Sequence, residues 1–303
     1  MKDLSHSDHV VPKLSVDGAS LTPEALSRVD QKQVARPASF LAKIYWDIVE
    51  ILEDMLDLLN AVNEGSKDAS RGHRAVLRHT ELLMLRCTSL NDYLKKLLTA
   101  CAPASAKKEL DRSCDAIEAR LGRSIKVPIN KIKHDGFTLA PIVLTNGIAS
   151  VPGFVVYGPL TDGIAGPLSY SEKHGAGTSD GYSLPLFMRR VFTLIFEMSD
   201  LARDQLLKWG VIDKPLDAAK VHNPNDARIK ALPAVLERLN ALPTHGFQGE
   251  QLTRSPVFQI KDGTLAMQQV RTRVLRGTVR VQFELPAVQA GSSFQMPYWP
   301  RQR

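Results

Sequence analysis

The chain has 303 residues, 44% hydrophobic and 23% charged, with a formal net charge of +7. That balance excludes a disordered or fibrous chain, and the length suffices for one large domain or two ordinary ones. No apolar run reaches the roughly 18 to 20 residues that a bilayer span requires.

The start, MKDLSHSDHVVPKLSVDG, has no apolar core of a secretory signal. Cys87, Cys101 and Cys114 show no CxxC spacing, so free thiols and a cytoplasmic location are expected. From Arg254 onward eight basic residues face only Asp262 and Glu284, an excess of six that holds nearly all the net charge. An acidic partner for this region, with nucleic acid first in line, follows from that asymmetry.

In chain order, residues 1–20 are polar and aperiodic and read as disordered. Thr22 as N-cap, Pro23 at the first helical position and Glu24 in the first turn predict a short helix. Leu41, Ile44, Tyr45, Ile48, Leu52, Met55, Leu59 and Val62 recur at three- and four-residue steps, predicting an amphipathic helix over 38–64 that Gly65 stops. A second helix is expected over 72–101, ended by Pro103. A third covers 105–121, with Leu110, Cys114, Ile117 and Leu121 on its apolar side and Gly122 as its stop. Short connections make these an antiparallel bundle.

After Pro128, PINKIKH predicts two helical turns ended by Asp135-Gly136. FTLAPIVLT and IASVPGFVVYG flank Asn146-Gly147, the signature of a two-residue type I′ hairpin turn. Residues 158–182 carry six glycines and read as a long irregular loop. A helix over 184–209 follows, with Ser183 as cap and Gly210 as stop. Its VFTLIF stretch is apolar all round and predicts a central position. A further helix over 224–242 contains Pro233. PVFQI, TLAMQQVRTRVL and TVRVQFEL then predict a three-stranded antiparallel meander with Gln269, Arg271 and Arg273 on one face.

The fold class expected is α+β, an antiparallel helical bundle with an inserted β hairpin and a small antiparallel β meander after it. The expected division is 1–37 start and short helix, 38–210 bundle with hairpin and Gly-rich loop, 211–255 helical linker, and 256–303 basic meander and tail.

The chemistry-bearing stretch is INKIKH, residues 129–134. Asn130, Lys131, Lys133 and His134 fall at the end of a short helix behind the three-helix bundle. This arrangement resembles the HEPN superfamily, helical bundles that are commonly dimers, many of them RNA-cutting toxins or defence effectors. The family motif is an Arg, often followed by Asn, with a His four to six residues after the Arg. Here Asn130 to His134 match, and Ile129 stands where the family carries its Arg.

The resemblance implies a metal-independent ribonuclease site in degenerate form. His134 would serve acid–base chemistry, Asn130 positioning, and Lys131 or Lys133 phosphate binding. Metal-free RNA cleavage also needs a fixed cation against the charge growing on the phosphate. A lysine lacks the planar fork of the missing arginine, and Arg123, six residues before Ile129, could substitute only if the chain folds back. A second reading of the same residues is structural: His134 and Lys133 are cations at a helix C-terminus, where the dipole favours them.

Other motifs are weak. Lys173, His174, Gly175, Gly177 and Thr178 lie in the Gly-rich loop, but in the wrong order for a P-loop. His73 and His79 are six apart on one helix, which is no metal pair. No metal and no cofactor are expected.

Arg271, Arg273, Arg276 and Arg280 form a row suited to successive phosphates, with few aromatics between them, so binding through the backbone is expected. Two functions follow: an accessory or effector protein that binds RNA or another polyanion, in prokaryotic defence as the HEPN resemblance implies, or a non-catalytic scaffold subunit of a larger complex. A second copy or a protein partner is expected on the bundle and on the 294–303 tail, where Phe294, Tyr298 and Trp299 need cover. No membrane is expected.

Overall fold

The computed structural model describes residues 10–63, 69–145, 150–159, 165–167, 181–213, 226–246, 254–261, 264–274 and 280–282. The helices are α1 (Lys13–Asp17), α2 (Pro23–Gln31), α3 (Pro37–Asn63), α4 (Ala69–Cys101), α5 (Lys107–Asp135), α6 (Leu184–Lys208) and α7 (Ala227–Ala241). The α+β class expected from the sequence is the class observed: a helical bundle with small sheets at its side.

α3, α4, α5 and α6 form the bundle, with α1 packed on α3 and α6, and α7 on α3. α6 is the hub. Along it Leu184 to Met188, Val191 to Phe196, Met198, Ala202 and Leu206 are all buried, as its all-round apolar sequence requires. Burying one such large apolar side chain stabilises by about 1.5–3 kcal/mol, so this one helix anchors much of the core.

Residues 10–20 correct the expectation of disorder. Val10, Val11, Leu14 and Val16 are buried, and the Tyr45 hydroxyl donates to the Val10 carbonyl at 2.6 Å. Arg203 of α6 holds Asp17 in a nearly buried ion pair. The helix is a single turn and a half, too short for its periodicity to show in the sequence. α2 forms as read, with Thr22 Oγ1 accepting from the Ala25 N–H. Arg28 and Lys32 then reach the last carbonyls of α4, donating to Ala102 and Thr99, where positive charge suits the helix end.

The third helix and the INKIKH turns, read as separate, are one element, α5, kinked at Gly122 (φ 63°, ψ −179°). Pro128 sits within its second half. Gly136 in the left-handed region closes it.

Strands β1 (Thr138–Thr145), β2 (Ser150–Pro159), β3 (Ala165–Pro167) and β4 (Gly181–Ser183) build one sheet beside the bundle. β1 and β2 make the expected hairpin, but in another register. Thr145 lies opposite Ser150, whereas a two-residue Asn146-Gly147 turn would set it opposite Ile148. The turn itself is outside the described residues. Most of the Gly-rich loop is also outside them, Lys173, His174, Gly175, Gly177 and Thr178 included. Its ends, β3 and β4, both pair with β2. Ser183 does not cap α6 with its side chain. Its hydroxyl donates instead to the His245 carbonyl.

At the C-terminal end β5 is His245–Gly246, β6 Arg254–Lys261, β7 Thr264–Arg271, β8 Arg273–Val274 and β9 Arg280–Gln282. β6 and β7 form the antiparallel hairpin as read, Lys261 opposite Thr264. The third strand goes elsewhere. β8 pairs in parallel with β5, and β9 crosses to β1, Val143 opposite Gln282. The outer edge of β1 has backbone groups that need partners, and local alternation says nothing about which edge a strand will join.

The β6–β7 hairpin is part of the same core as the bundle. Phe258 meets Phe192 of α6 edge to face with ring centroids 4.8 Å apart, and Leu265 and Met267 are buried with it. Residues 211–255, read as a linker, carry α7, whose Leu232, Val235, Leu236 and Leu239 are buried in that core.

Candidate functional site

The INKIKH residues occupy the last two turns of α5, and helical geometry divides them. Ile125 and Ile129 are buried against the bundle, so the position where an arginine would stand is a core position. Asn130, Lys133 and His134 are exposed and share one stripe, with exposed Lys126 one turn before them. Lys133 and His134 have no partner among the described residues.

Lys131 lies apart from that stripe. It pairs with Asp135, and its Nζ stands 5.5 Å from the centroid of the Phe137 ring. Lys126 is partly neutralised: it and Lys95 both bind Glu118. Those two ammonium groups hold the Glu118 carboxyl down at about 2. The open cation of the stripe is therefore Lys133, beside the imidazole of His134.

The helix end explains why these charges are tolerated. Gly136 (φ 72°) lets the chain turn away, and the Phe137 N–H donates back to the Lys131 carbonyl at 3.3 Å. The other last-turn carbonyls give a negative helix end that favours Lys133 and His134. The stripe has one titratable acid–base group, an amide and a lysine. It offers no guanidinium: Arg123 belongs to the same half-helix, and its side chain is outside the described part.

The arginine row is broken by the strand topology. Arg271 is exposed at the end of β7, on the face whose other members, Leu265 and Met267, are buried. The face assignment of Gln269 and Arg271 thus holds, but their face packs on the core at its far end. Thr272 is buried and the ladder breaks there, so Arg273 belongs to β8, opposite His245. Arg280 sits on β9 opposite Thr145, in a different sheet, and Arg276 is outside the described residues. In the β6–β7 register the backbone of Arg254 lies opposite that of Arg271.

Sequence reasoning did not single out Arg189. It is fully buried on α6, with Nε donating to Leu239 and the two terminal nitrogens donating to Asn240, Leu242, Pro243 and the Ser255 hydroxyl. Burial lowers it to about 10, so it stays charged at neutral pH. The signal was present in LFMRRVFTLIF: an arginine inside a helix that is otherwise apolar all round must find acceptors indoors. Its acceptors are the end of α7 and the start of β6, so its role is to join those elements to α6.

A hollow of about 480 Å3 is lined by Ser20, Leu21, Thr22, Pro23, Glu24 and Asp213. It carries two carboxylates and no cation, the wrong sign for a phosphate. Among the described residues no three metal-ligating side chains cluster, and no helix is long and apolar enough to cross a membrane. Compared with known proteins, the chain matches no family model, no curated protein and no solved structure.

Proposed function

We propose that this protein binds RNA or a similar polyanion through phosphate contacts and does not cut it. The observation that carries this reading is the exposed stripe Asn130, Lys133 and His134 at the end of α5, with core Ile129 in place of the arginine that cleavage would use. The HEPN resemblance gives the stripe its expected ligand, and the prokaryotic defence setting belongs to the same proposal. The missing guanidinium removes the group that would stabilise charge on a phosphate in the transition state. Arg271, exposed at the end of β7, supplies a second basic point for a phosphate.

Binding to a mixed-sequence single-stranded RNA, measured over a range of salt with EDTA present, tests this. Affinity should fall steeply as salt rises. Lys133→Glu and Arg271→Glu should each weaken binding across sequences and reduce the salt slope by about 1. The RNA should remain intact with both the parent chain and His134→Ala. Cleavage that vanishes in His134→Ala would overturn the non-cutting part. Absence of salt-sensitive binding would favour a scaffold subunit, for which the bundle surface or a second copy is the place to look.

A further inference from the structure

We propose, resting on the phosphate-binding reading above, that Lys95 and Lys126 form a further phosphate site beside the Asn130, Lys133 and His134 stripe, and that Glu118 fills it until a polyanion displaces the carboxylate. Lys95 belongs to α4, and Glu118 and Lys126 belong to the two halves of α5 on either side of the Gly122 kink. Each ammonium takes one oxygen of the carboxylate, Lys95 the Oε2 and Lys126 the Oε1.

An ordinary helix-surface pair joins one cation to one acid a single turn away. Lys131 and Asp135 are such a pair. Glu118 instead draws two ammonium groups onto one carboxylate, so the three side chains together carry a net charge of +1. It also meets a lysine eight positions along the chain, a spacing that the kink at Gly122 brings together. Two cations converging on two oxygens present the same donors that a phosphate would engage. The carboxylate stands where that phosphate would bind.

The cluster lies along the path of a strand bound to the stripe. Lys126 is one turn before Asn130 and seven residues before Lys133, about 10.5 Å along the helix. Its side chain is 49% exposed, and those of Lys95 and Glu118 are 29% and 31% exposed. Ion pairs so open to water are weak and screened by salt, so a more highly charged anion can take the lysines over. Acid does not release them near neutral pH. The two ammonium groups hold the Glu118 carboxyl down at about 2, and it keeps its charge far below neutrality.

The sign of the effect separates this role from a purely structural one. If Glu118 only stapled the two halves of α5 together, breaking the staple would loosen the end of the helix and weaken the stripe. If it restrains two lysines that a phosphate would otherwise hold, removing its charge strengthens binding.

Binding of the full chain to a mixed-sequence single-stranded RNA, titrated against salt, tests this. Glu118→Gln keeps the shape and removes the charge. It should bind about fivefold tighter at 50 mM salt, with a salt slope steeper by about 0.7 for each lysine released. Adding Lys126→Gln to Glu118→Gln should cancel most of that gain. Asp57→Asn makes the same change of charge on α3, where it releases Arg238, and should leave affinity within about twofold. Carbon-13 spectra of the parent chain give a reading that needs no folded variant at the site: the Glu118 side-chain carboxyl resonance should move when RNA is added. An equal gain with Asp57→Asn, a gain that survives Lys126→Gln, or a Glu118 resonance that stays put would overturn the proposal. So would unchanged or weaker binding by Glu118→Gln while the parent chain binds, and in all these cases the phosphate-binding reading stands. No salt-dependent binding by either the parent chain or Glu118→Gln would overturn that reading and this site together.

Discussion

Arg189 takes a positive charge out of water with no carboxylate among the described residues to receive it. What makes this stable is number: a guanidinium offers five N–H donors, and here they meet four carbonyls at the end of α7 and the Ser255 hydroxyl. Those carbonyls are the negative end of a helix. Arg189→Met would fill similar space but leave the carbonyls without donors. A loss of about 3 kcal/mol is expected, since each buried unsatisfied group costs about 1–3 kcal/mol. Urea denaturation followed by circular dichroism measures it, and a change under 1 kcal/mol would contradict this account. From the sequence, the burial of Arg189 is readable and its acceptors are not, because Leu239 to Pro243 lie some fifty positions further along. The same limit applies to His134 and Asn130. Their shared stripe follows from helical spacing, whereas the pairing of Lys126 with Glu118 and of Lys131 with Asp135 needed the folded chain.

At the level of elements, glycine and proline were read correctly as punctuation and too strongly as breaks. Gly122 reads as a helix stop in the sequence, yet α5 resumes at once beyond it. The backbone at Gly122 (φ 63°, ψ −179°) is a conformation that only glycine adopts freely. A Cβ built there meets nothing within 4 Å, so the penalty of a side chain would be purely conformational. Gly122→Ala is expected to cost about 1–3 kcal/mol, measured as a lowered denaturation midpoint with an unchanged far-ultraviolet spectrum. The long helices were legible because their periodicity extends over many turns. α1 was missed because five residues show almost none. Strands were legible as strands, but their partners were not: β6 and β7 are neighbours in sequence and in space, while β9 leaves them for β1.

For the whole molecule, the division into bundle, linker and meander does not describe how the core is built. One continuous set of buried side chains runs from Val10 through the bundle to α7 and the β6–β7 hairpin. Phe258 joins that hairpin to α6 through Phe192. Phe258→Ala should therefore weaken the entire fold by about 3–5 kcal/mol. Unfolding followed by circular dichroism and by tryptophan fluorescence should show coincident transitions, before and after the substitution. Two separate transitions would mean that the hairpin stands alone. The β6–β7 hairpin thus moves with the bundle, and Arg271 is held at a fixed place relative to α5.

The pairing of β9 with β1 also has a meaning in time. Val143 and Gln282 are neighbours in the sheet but far apart in the order of synthesis. β1 and β2 can close their hairpin early, while the outer side of Val143 and Thr145 must wait until residues 280–282 have been made. Closing so large a loop is slow, and a nascent sheet edge left waiting invites pairing with other chains. The proline at 141, which has no N–H to offer, guards part of the rest of that edge. The stretch that stays reactive during synthesis is thereby shortened toward the residues β9 will eventually cover.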